Sequence, residues 1–163
     1  MKINRFTFNS DKTLVLEDDI DFSKAVLDVN HIRKIESCHV IVSGKEYDDL
    51  LVLDLRINAK VIGVCSYSLE DVPLNLSFKD SLELSNEIED DDAVIFEPNP
   101  IFEIDPYVLG LIVSEVPIKL VKKGAKLPEN GSGYRVLSED DYLKEQQEKK
   151  DDRWSKLDEL ELE

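Results

Sequence analysis

Four thiol and imidazole groups in the sequence could bind a soft metal ion: Cys38, Cys65, His31 and His39. Zinc sites usually take such ligands as closely spaced pairs, for example two cysteines separated by two residues. The chain contains no pair of that kind. Cys38 and His39 are adjacent in a predicted strand, where consecutive side chains point to opposite faces. We therefore interpret the cysteines as core residues and the histidines as surface residues, and we expect neither a metal nor a cofactor.

Two acidic runs, residues 17–21 and 89–92, are composed of the side chains that bind calcium or magnesium. The first run lacks the glycine and the final glutamate of an EF-hand loop, and the second has no companion motif. The glycine-rich segment 130–133 is not followed by the Lys and Ser or Thr of a phosphate-binding loop. There is no G-x-S-x-G motif, and neither histidine lies in the context of a catalytic triad. The sequence thus predicts no catalytic residue and no small-molecule substrate.

Charge is distributed unevenly along the chain, which has a formal net charge of -16 from 36 acidic and 20 basic residues. Eleven carboxylates and no lysine or arginine lie between Asp80 and Glu115. The basic segment that follows contains Lys119, Lys122, Lys123 and Lys126. An acidic region favours a basic partner, and lysines favour a phosphate backbone. Two solvated loops are the alternative interpretation, and four lysines without interleaved aromatic residues are a weak signal for nucleic acid.

The elements that position these groups begin with a sheet. Residues 51–61 alternate between apolar and polar side chains, which predicts a half-buried strand. Residues 74–84 alternate in the same way, except that Asp80 interrupts the apolar face and predicts a bulge or a bend. Residues 35–43 are rich in Val and Ile. Three consecutive strands with polar outer faces favour an antiparallel meander. We predict an α+β fold built on this meander, with closure into a barrel left open.

Several shorter elements are predicted around the meander. Residues 3–8 and 93–96 are interpreted as strands and residues 21–29 as a short helix. Asp105 followed by proline predicts the start of a helix, with Asp105 as the N-cap and proline at the first helical position. This helix is expected to end at Val116 and is apolar almost all round, so it should be buried against the sheet.

The C-terminal part of the chain is predicted to be polar and helical. Ser138 followed three residues later by an aspartate is typical of a helix N-terminus. We predict one α+β domain over residues 1–137 and a polar, helix-prone tail over residues 138–163. Within the tail, Arg153, Trp154 and Leu157 are too few to form a core of their own. They are candidates to bind a partner, as arginine and aromatic residues often do at interfaces, or to dock on the protein's own sheet.

The length and the composition of the chain exclude several classes of protein. A chain of 163 residues suits one domain, and two cysteines cannot form the disulfide framework of a small secreted scaffold. The N-terminus has no apolar signal-peptide region. No apolar run approaches the ~20 residues that a membrane helix requires. We therefore expect a cytoplasmic protein that does not enter a membrane.

Four segments resemble, in order and spacing, motifs of the YceD family, which is named for large ribosomal RNA subunit accumulation. The first contains Cys65 and Leu69 and is similar to the family's C-x-R-x-L-x-x-x-x-x-L motif. Asp105 near the start of an apolar segment, and Gly133 followed by Tyr134, resemble the second and third. Residues 151–160 are similar to the family's D-P-R-W/L-x-x-L-x-x-L tail.

The sequence departs from the family pattern at three positions. Tyr67 stands where the family often has Arg, and Asp152 where it usually has Pro. Ser68 stands where some members have a second cysteine. The chain therefore lacks both the arginine and the cysteine pair at that turn.

The resemblance implies a role in making or stabilising the large ribosomal subunit, in particular its 23S ribosomal RNA, without an established enzymatic activity. We expect a non-catalytic factor that binds a basic ribosomal protein or ribosomal RNA. Binding to a basic protein is physically easier, because a net charge of -16 opposes approach to RNA. Two alternatives remain: a magnesium-dependent RNA-processing enzyme, and an acidic protein-interaction module unrelated to ribosomes.

Overall fold

The computed structural model of the protein describes residues 1–8, 14–25, 27, 31–47, 50–89 and 92–148. The chain forms two compact units, Met1–Lys122 and Lys123–Glu163. The boundary predicted at residue 137 stays a prediction.

The first unit is built on a five-stranded sheet with the order β2-β3-β4-β5-β6. Its three long strands are antiparallel neighbours: β3 (Ile32–Tyr47), β4 (Leu50–Val64) and β5 (Asp71–Ser85). The short strand β2 (Leu14–Asp19) pairs antiparallel with β3, and β6 (Val94–Phe96) pairs parallel with the end of β5. The predicted antiparallel meander is therefore confirmed.

A second, two-stranded sheet joins β1 (Lys2–Asn4) to β7 (Ile101–Glu103). The first unit also contains α1 (Asp105–Glu115), and the second unit contains α2 (Glu139–Glu148). The fold is thus of the predicted α+β class. The barrel-like alternative is wrong, because β2 and β6 are the two edges of an open sheet.

The alternation predicted for β4 matches its burial. Its odd-numbered side chains are buried from Leu51 to Val61, and its even-numbered polar side chains lie on the opposite surface, here called the outer face. The predicted bulge at Asp80 is wrong, because the β4–β5 register is continuous and pairs Asp80 with Leu55. The register shifts lie instead near the start of β3, between Ile32 and Ser37.

Helix α1 lies at the predicted position, but only one of its faces is fully buried. Val108 and Ile112, one turn apart, are completely buried, whereas the other apolar side chains are partly exposed. The predicted N-cap is also wrong: Ile104 is the N-cap and makes no side-chain cap bond. The Asp105 carboxylate instead forms an ion pair with the Met1 ammonium group. The attraction of that buried ammonium explains why this carboxylate does not cap the helix.

The N-terminal predictions are only partly correct. The strand predicted over residues 3–8 ends at Asn4, whose side chain accepts a hydrogen bond from the Phe6 amide and begins a 3-10 turn. In this turn Arg5 is buried and donates to Glu46 at 2.8 Å and to the Leu84 carbonyl at 3.0 Å. The helix predicted over residues 21–29 is wrong for the described residues 21–25 and 27. There, the Asp21 carboxylate accepts hydrogen bonds from Ser23 and forms a turn.

In the second unit, the helix predicted after Ser138 is confirmed. The Ser138 hydroxyl accepts a hydrogen bond from the Asp141 amide at 3.1 Å, so it caps α2. Arg135 donates to Glu145 of this helix at 2.9 Å. The tail residues Arg153, Trp154 and Leu157 lie outside the described residues, so their docking stays a prediction.

Candidate functional site

The turn formed by residues 65–70, here called the Cys65 turn, connects β4 to β5. The Cys65 sulfur accepts backbone hydrogen bonds from Tyr67 and Ser68 at 3.4 Å each. A third comes from Lys122, at 3.3 Å, although that residue is 57 positions away in the sequence. The thiol is completely buried. Cys65 therefore holds the turn together and attaches it to a distant part of the chain.

These hydrogen bonds change the acidity of the thiol. The Lys122 amide makes the largest contribution, followed by Ser68, and the pKa of Cys65 falls from 9.0 to about 7 because the thiolate accepts these bonds. In this structure the buried sulfur acts as a hydrogen-bond acceptor.

The segment of residues 117–122, here called the lysine segment, lies against the Cys65 turn. The Ser66 amide donates to the Leu120 carbonyl at 2.7 Å, and the Leu120 side chain occupies the space above Gly63 where a Cβ would overlap with it. The Lys122 ammonium lies 3.2 Å from the Glu70 carboxylate. The Lys119 ammonium lies 5.8 Å from the centre of the Tyr67 ring. Both predicted lysines thus interact with the turn itself.

Leu69 and Ile118 are the apolar residues most exposed at this place, with 72% and 81% of their surfaces accessible. Leu69 also has a backbone φ of 58°, a left-handed conformation that is uncommon for residues other than glycine. Strained backbone that presents an exposed apolar side chain is typical of contact surfaces. Sequence reasoning selected Leu69 through the family motif but did not select Glu70 as a site residue. Ile118 lies in a stretch without acidic residues, 116–128, and this stretch was the local signal for the lysine segment.

The acidic stretch collects at the opposite end of the sheet, where β5 ends and β6 begins. We call residues 80–89 and 92–103 the acidic end. Strand β6 pairs with residues 83–85, and the Glu97 amide donates to the Ser85 carbonyl at 2.8 Å, so these segments are neighbours. The described carboxylates of the acidic end are Asp80, Glu83, Glu87, Glu89, Asp92, Glu97 and Glu103. Along β5 this end is about 45 Å from the Cys65 turn, from a rise of about 3.3 Å per residue.

The acidic end also exposes apolar side chains. Ile88 is 84% accessible, and Phe96 and Ile101 are exposed as well. The nearby cation Arg5 is buried and already bonded to Glu46. The surface therefore combines negative charge with apolar area.

The remaining predicted site residues are distributed over both units. Lys123 and Lys126 are exposed in the second unit. Gly133 there has a φ of 94°, and Tyr134 is exposed and forms a bridge with Gly131. In the first unit, Asp105 begins α1 and contacts the Met1 ammonium. The family-motif residues therefore do not form one site in the described structure of either unit.

The four groups considered for zinc do not converge. Cys38 is buried, and the neighbouring His39 ring lies on the outer face, 2.8 Å from Asp19 and 3.2 Å from Glu17. The hydrogen bond to Asp19 raises the pKa of His39. Among the described residues, no group of three or more His, Cys, Asp or Glu side chains could hold a metal ion.

No helix in the described part of the chain has both the length and the apolar character needed to cross a membrane.

The fold and these surfaces define an α+β protein with an open sheet. At one end of the sheet lies a turn held by hydrogen bonds to the Cys65 sulfur, and at the other end lies an acidic surface. The chain belongs to the YceD family: the family model described as large ribosomal RNA subunit accumulation protein YceD matches residues 53–161, about two thirds of the chain. The suspected resemblance is thereby confirmed, and the matched region contains the Cys65 turn, the lysine segment and the acidic end. Comparisons with curated proteins and with solved structures found no match.

Proposed function

We propose that this protein supports the accumulation of large-subunit ribosomal RNA by binding a basic protein of the large ribosomal subunit, without catalysing a reaction. The family description supports the ribosomal role. The acidic end supports the choice of partner, and its combination of exposed carboxylates with exposed apolar side chains is the observation that carries the proposal.

The chemistry of the acidic end matches that of a basic, partly apolar segment. Carboxylates attract lysine and arginine over a distance set by the ionic strength, and so raise the rate of encounter. Exposed Ile88, Phe96 and Ile101 provide the apolar area that stabilises the complex once formed. A basic ribosomal protein bound here would have part of its charge neutralised before it reaches the RNA.

The direct test measures binding of the purified full-length protein to a panel of purified large-subunit ribosomal proteins. Raising the ionic strength from about 0.1 M to about 1 M shortens the Debye length from about 10 Å to about 3 Å, so binding should weaken strongly. Neutralising three carboxylates at the acidic end should raise the Kd about tenfold, at about half a kcal/mol for each exposed pair. The variant combines Glu83→Gln, Glu87→Gln and Glu89→Gln.

A matched control changes the net charge by the same amount at exposed positions outside the acidic end. It combines Asp18→Asn, Glu115→Gln and Glu129→Gln. The control should bind like the wild type, because the proposal depends on where the charges lie. Equal weakening by both variants, or no salt-sensitive binding to any large-subunit protein, would refute the proposal.

A cellular test examines the ribosomal role separately. A strain depleted of the protein should lose large subunits on a sucrose gradient, with 23S ribosomal RNA reduced and 16S ribosomal RNA spared. The wild-type gene and the control variant should restore the profile, and the acidic-end variant should not. An unchanged profile on depletion would favour the alternative of an acidic interaction module unrelated to ribosomes.

The magnesium-dependent RNA-processing alternative stays a prediction. It requires two or three carboxylates that converge on a cation. Cleavage of ribosomal RNA precursors by the purified protein, dependent on magnesium and abolished by EDTA, would favour this alternative over simple binding.

A further inference from the structure

We propose that the outer face of strands β4 and β5 binds the phosphate backbone of RNA. Arg56 on β4 lies directly opposite Lys79 on β5. Like charges in directly opposed cross-strand positions destabilise a sheet. Both side chains are exposed, and neither makes an ion pair in the described part of the chain. A bound anion between them would convert this repulsion into attraction.

The same face continues with further groups that bind phosphate and ribose. Lys60 lies on the same face of β4 as Arg56, four residues further along, and is paired in register with Asn75. Between them, Asn58 accepts a hydrogen bond from the Ser77 hydroxyl at 2.7 Å. Contacts to nucleic-acid backbones come mainly from arginine, lysine, serine and asparagine side chains. This strip therefore has the composition of a backbone-binding surface.

The outer face also has a concave region. A trough of about 710 Å³ lies on it, lined by Arg56, Lys79, Ser43 and Ser81 and by the apolar residues Val15, Ile41 and Leu55. Asp54 and Asp80 also line this trough. The strip and its trough together have three cations, Lys60, Arg56 and Lys79, against the two carboxylates of Asp54 and Asp80, so this part of a strongly acidic protein keeps a small positive charge. The centre of a protein–protein interface is richer in apolar side chains than this strip, so RNA is the better match.

This inference extends the proposed function but uses different binding groups, because the basic protein would bind carboxylates of the acidic end; Asp80 borders both surfaces. The two cations of the lysine segment, which the sequence suggested for phosphate binding, are already engaged with the Cys65 turn through Glu70 and Tyr67. Arg56 and Lys79 have no such engagement in the described structure. The outer face is therefore the better phosphate-binding surface of the first unit.

The test is fluorescence anisotropy of a labelled RNA hairpin titrated with the full-length protein at about 50 mM and about 200 mM salt. Arg56→Gln combined with Lys79→Gln should reduce the slope of log affinity against log salt by about 2, one for each lost phosphate contact. The same double variant should unfold at an equal or higher denaturant concentration than the wild type, because it removes a like-charge pair. Weaker binding by a protein of undiminished stability cannot be attributed to unfolding.

The matched control is Lys119→Gln combined with Lys122→Gln, which removes the same charge from the lysine segment. It should keep most of the RNA affinity. Loss of binding in this control but not in the outer-face variant would overturn the proposal, as would the absence of salt-dependent RNA binding by the wild type. Equal binding of a poly-glutamate peptide would assign the face to an acidic protein and also overturn it. The acidic-end variant should not weaken RNA binding, so the two proposals can fail independently.

Discussion

The two buried cysteines of the first unit, one in the sheet and one in the turn after β4, have surroundings that shift their pKa values in opposite directions. Cys38 lies in the middle of β3 among apolar core residues, and burial, reinforced by Asp105 and Asp19, raises its pKa to about 12. Cys65 is equally inaccessible to solvent, but three backbone amides donate to its sulfur and its pKa is about 7. Burial alone therefore does not determine the pKa of a thiol. Hydrogen-bond donors that favour the thiolate lower the pKa even when the thiol is buried.

The largest expected loss of stability comes from a substitution that separates the lysine segment from the Cys65 turn. Gly63→Ala places a methyl group where the Leu120 side chain lies, so the free energy of unfolding should fall by about 1–3 kcal/mol. The displaced segment should also withdraw the Lys122 amide, so the pKa of Cys65 should rise. Urea denaturation and thiol titration measure the two effects.

Gly110→Ala is the matched control for that substitution. Gly110 lies on an exposed part of α1 with no atom near its absent Cβ, so alanine there should raise the free energy of unfolding by about 0.5–1 kcal/mol. If both alanine substitutions had the same effect, the close packing of Leu120 on Gly63 would not matter for stability.

Replacing each cysteine by alanine and by serine should rank the stabilities of the two variants in opposite order at the two sites. At Cys38, alanine should cost about 1 kcal/mol through a small cavity, and serine about 2 kcal/mol because it buries a hydroxyl in an apolar core. At Cys65, serine should be the better replacement, because its oxygen still accepts amide hydrogen bonds that alanine leaves unpaired. Chemical denaturation of the four variants checks this ranking, and the same order at both sites would contradict the comparison.

The pH dependence of stability should distinguish the cysteines further. A thiol with a lowered pKa in the folded state stabilises the protein above its unfolded pKa, and this contribution is lost as the pH falls through the folded pKa. Cys65 should therefore increase stability as the pH rises from about 7 to 9.0. Cys38 has a raised pKa, so it should decrease stability as the pH rises from 9.0 towards about 12.

The difference in the free energy of unfolding between each variant and the wild type measures these contributions at each pH. Cys65→Ser should remove the increase between about 7 and 9.0, and Cys38→Ala should remove the decrease above 9.0. The contribution of His39, whose raised pKa acts in the opposite direction near neutral pH, is common to all three proteins and cancels. A pH profile unchanged by Cys65→Ser would mean that the thiol is not ionised in the folded protein.

The smallest expected change in stability comes from substitutions of Leu69, the strained residue of the Cys65 turn. Leu69→Gly relieves a left-handed backbone that costs about 1 kcal/mol in other residues, whereas Leu69→Ala removes the same side chain and keeps the strain. The glycine variant should therefore be as stable as the alanine variant or more stable, although glycine usually destabilises by about 0.4–1 kcal/mol. Thermal unfolding of the pair measures the difference, and a less stable glycine variant would argue against a strained turn.

Local patterns in the sequence determined the elements whose side chains repeat regularly. The alternation in β4, the proline after Asp105 and the capping serine at position 138 each depend on neighbours within a few residues. Such signals are local, so they predicted the meander, α1 and α2. The N-cap of α1 was not predictable, because Asp105 is attracted by Met1, a residue 104 positions away.

The candidate site depended on contacts that no local pattern contains. The sequence identified Cys65, Leu69 and Lys122 separately, and the family match linked Cys65 to Leu69. The tertiary structure alone brought the Lys122 amide to the Cys65 sulfur and placed Arg56 opposite Lys79. Side-chain type is a property of the sequence, whereas the pKa of a thiol and the field around a cation depend on groups that only folding brings within a few ångströms.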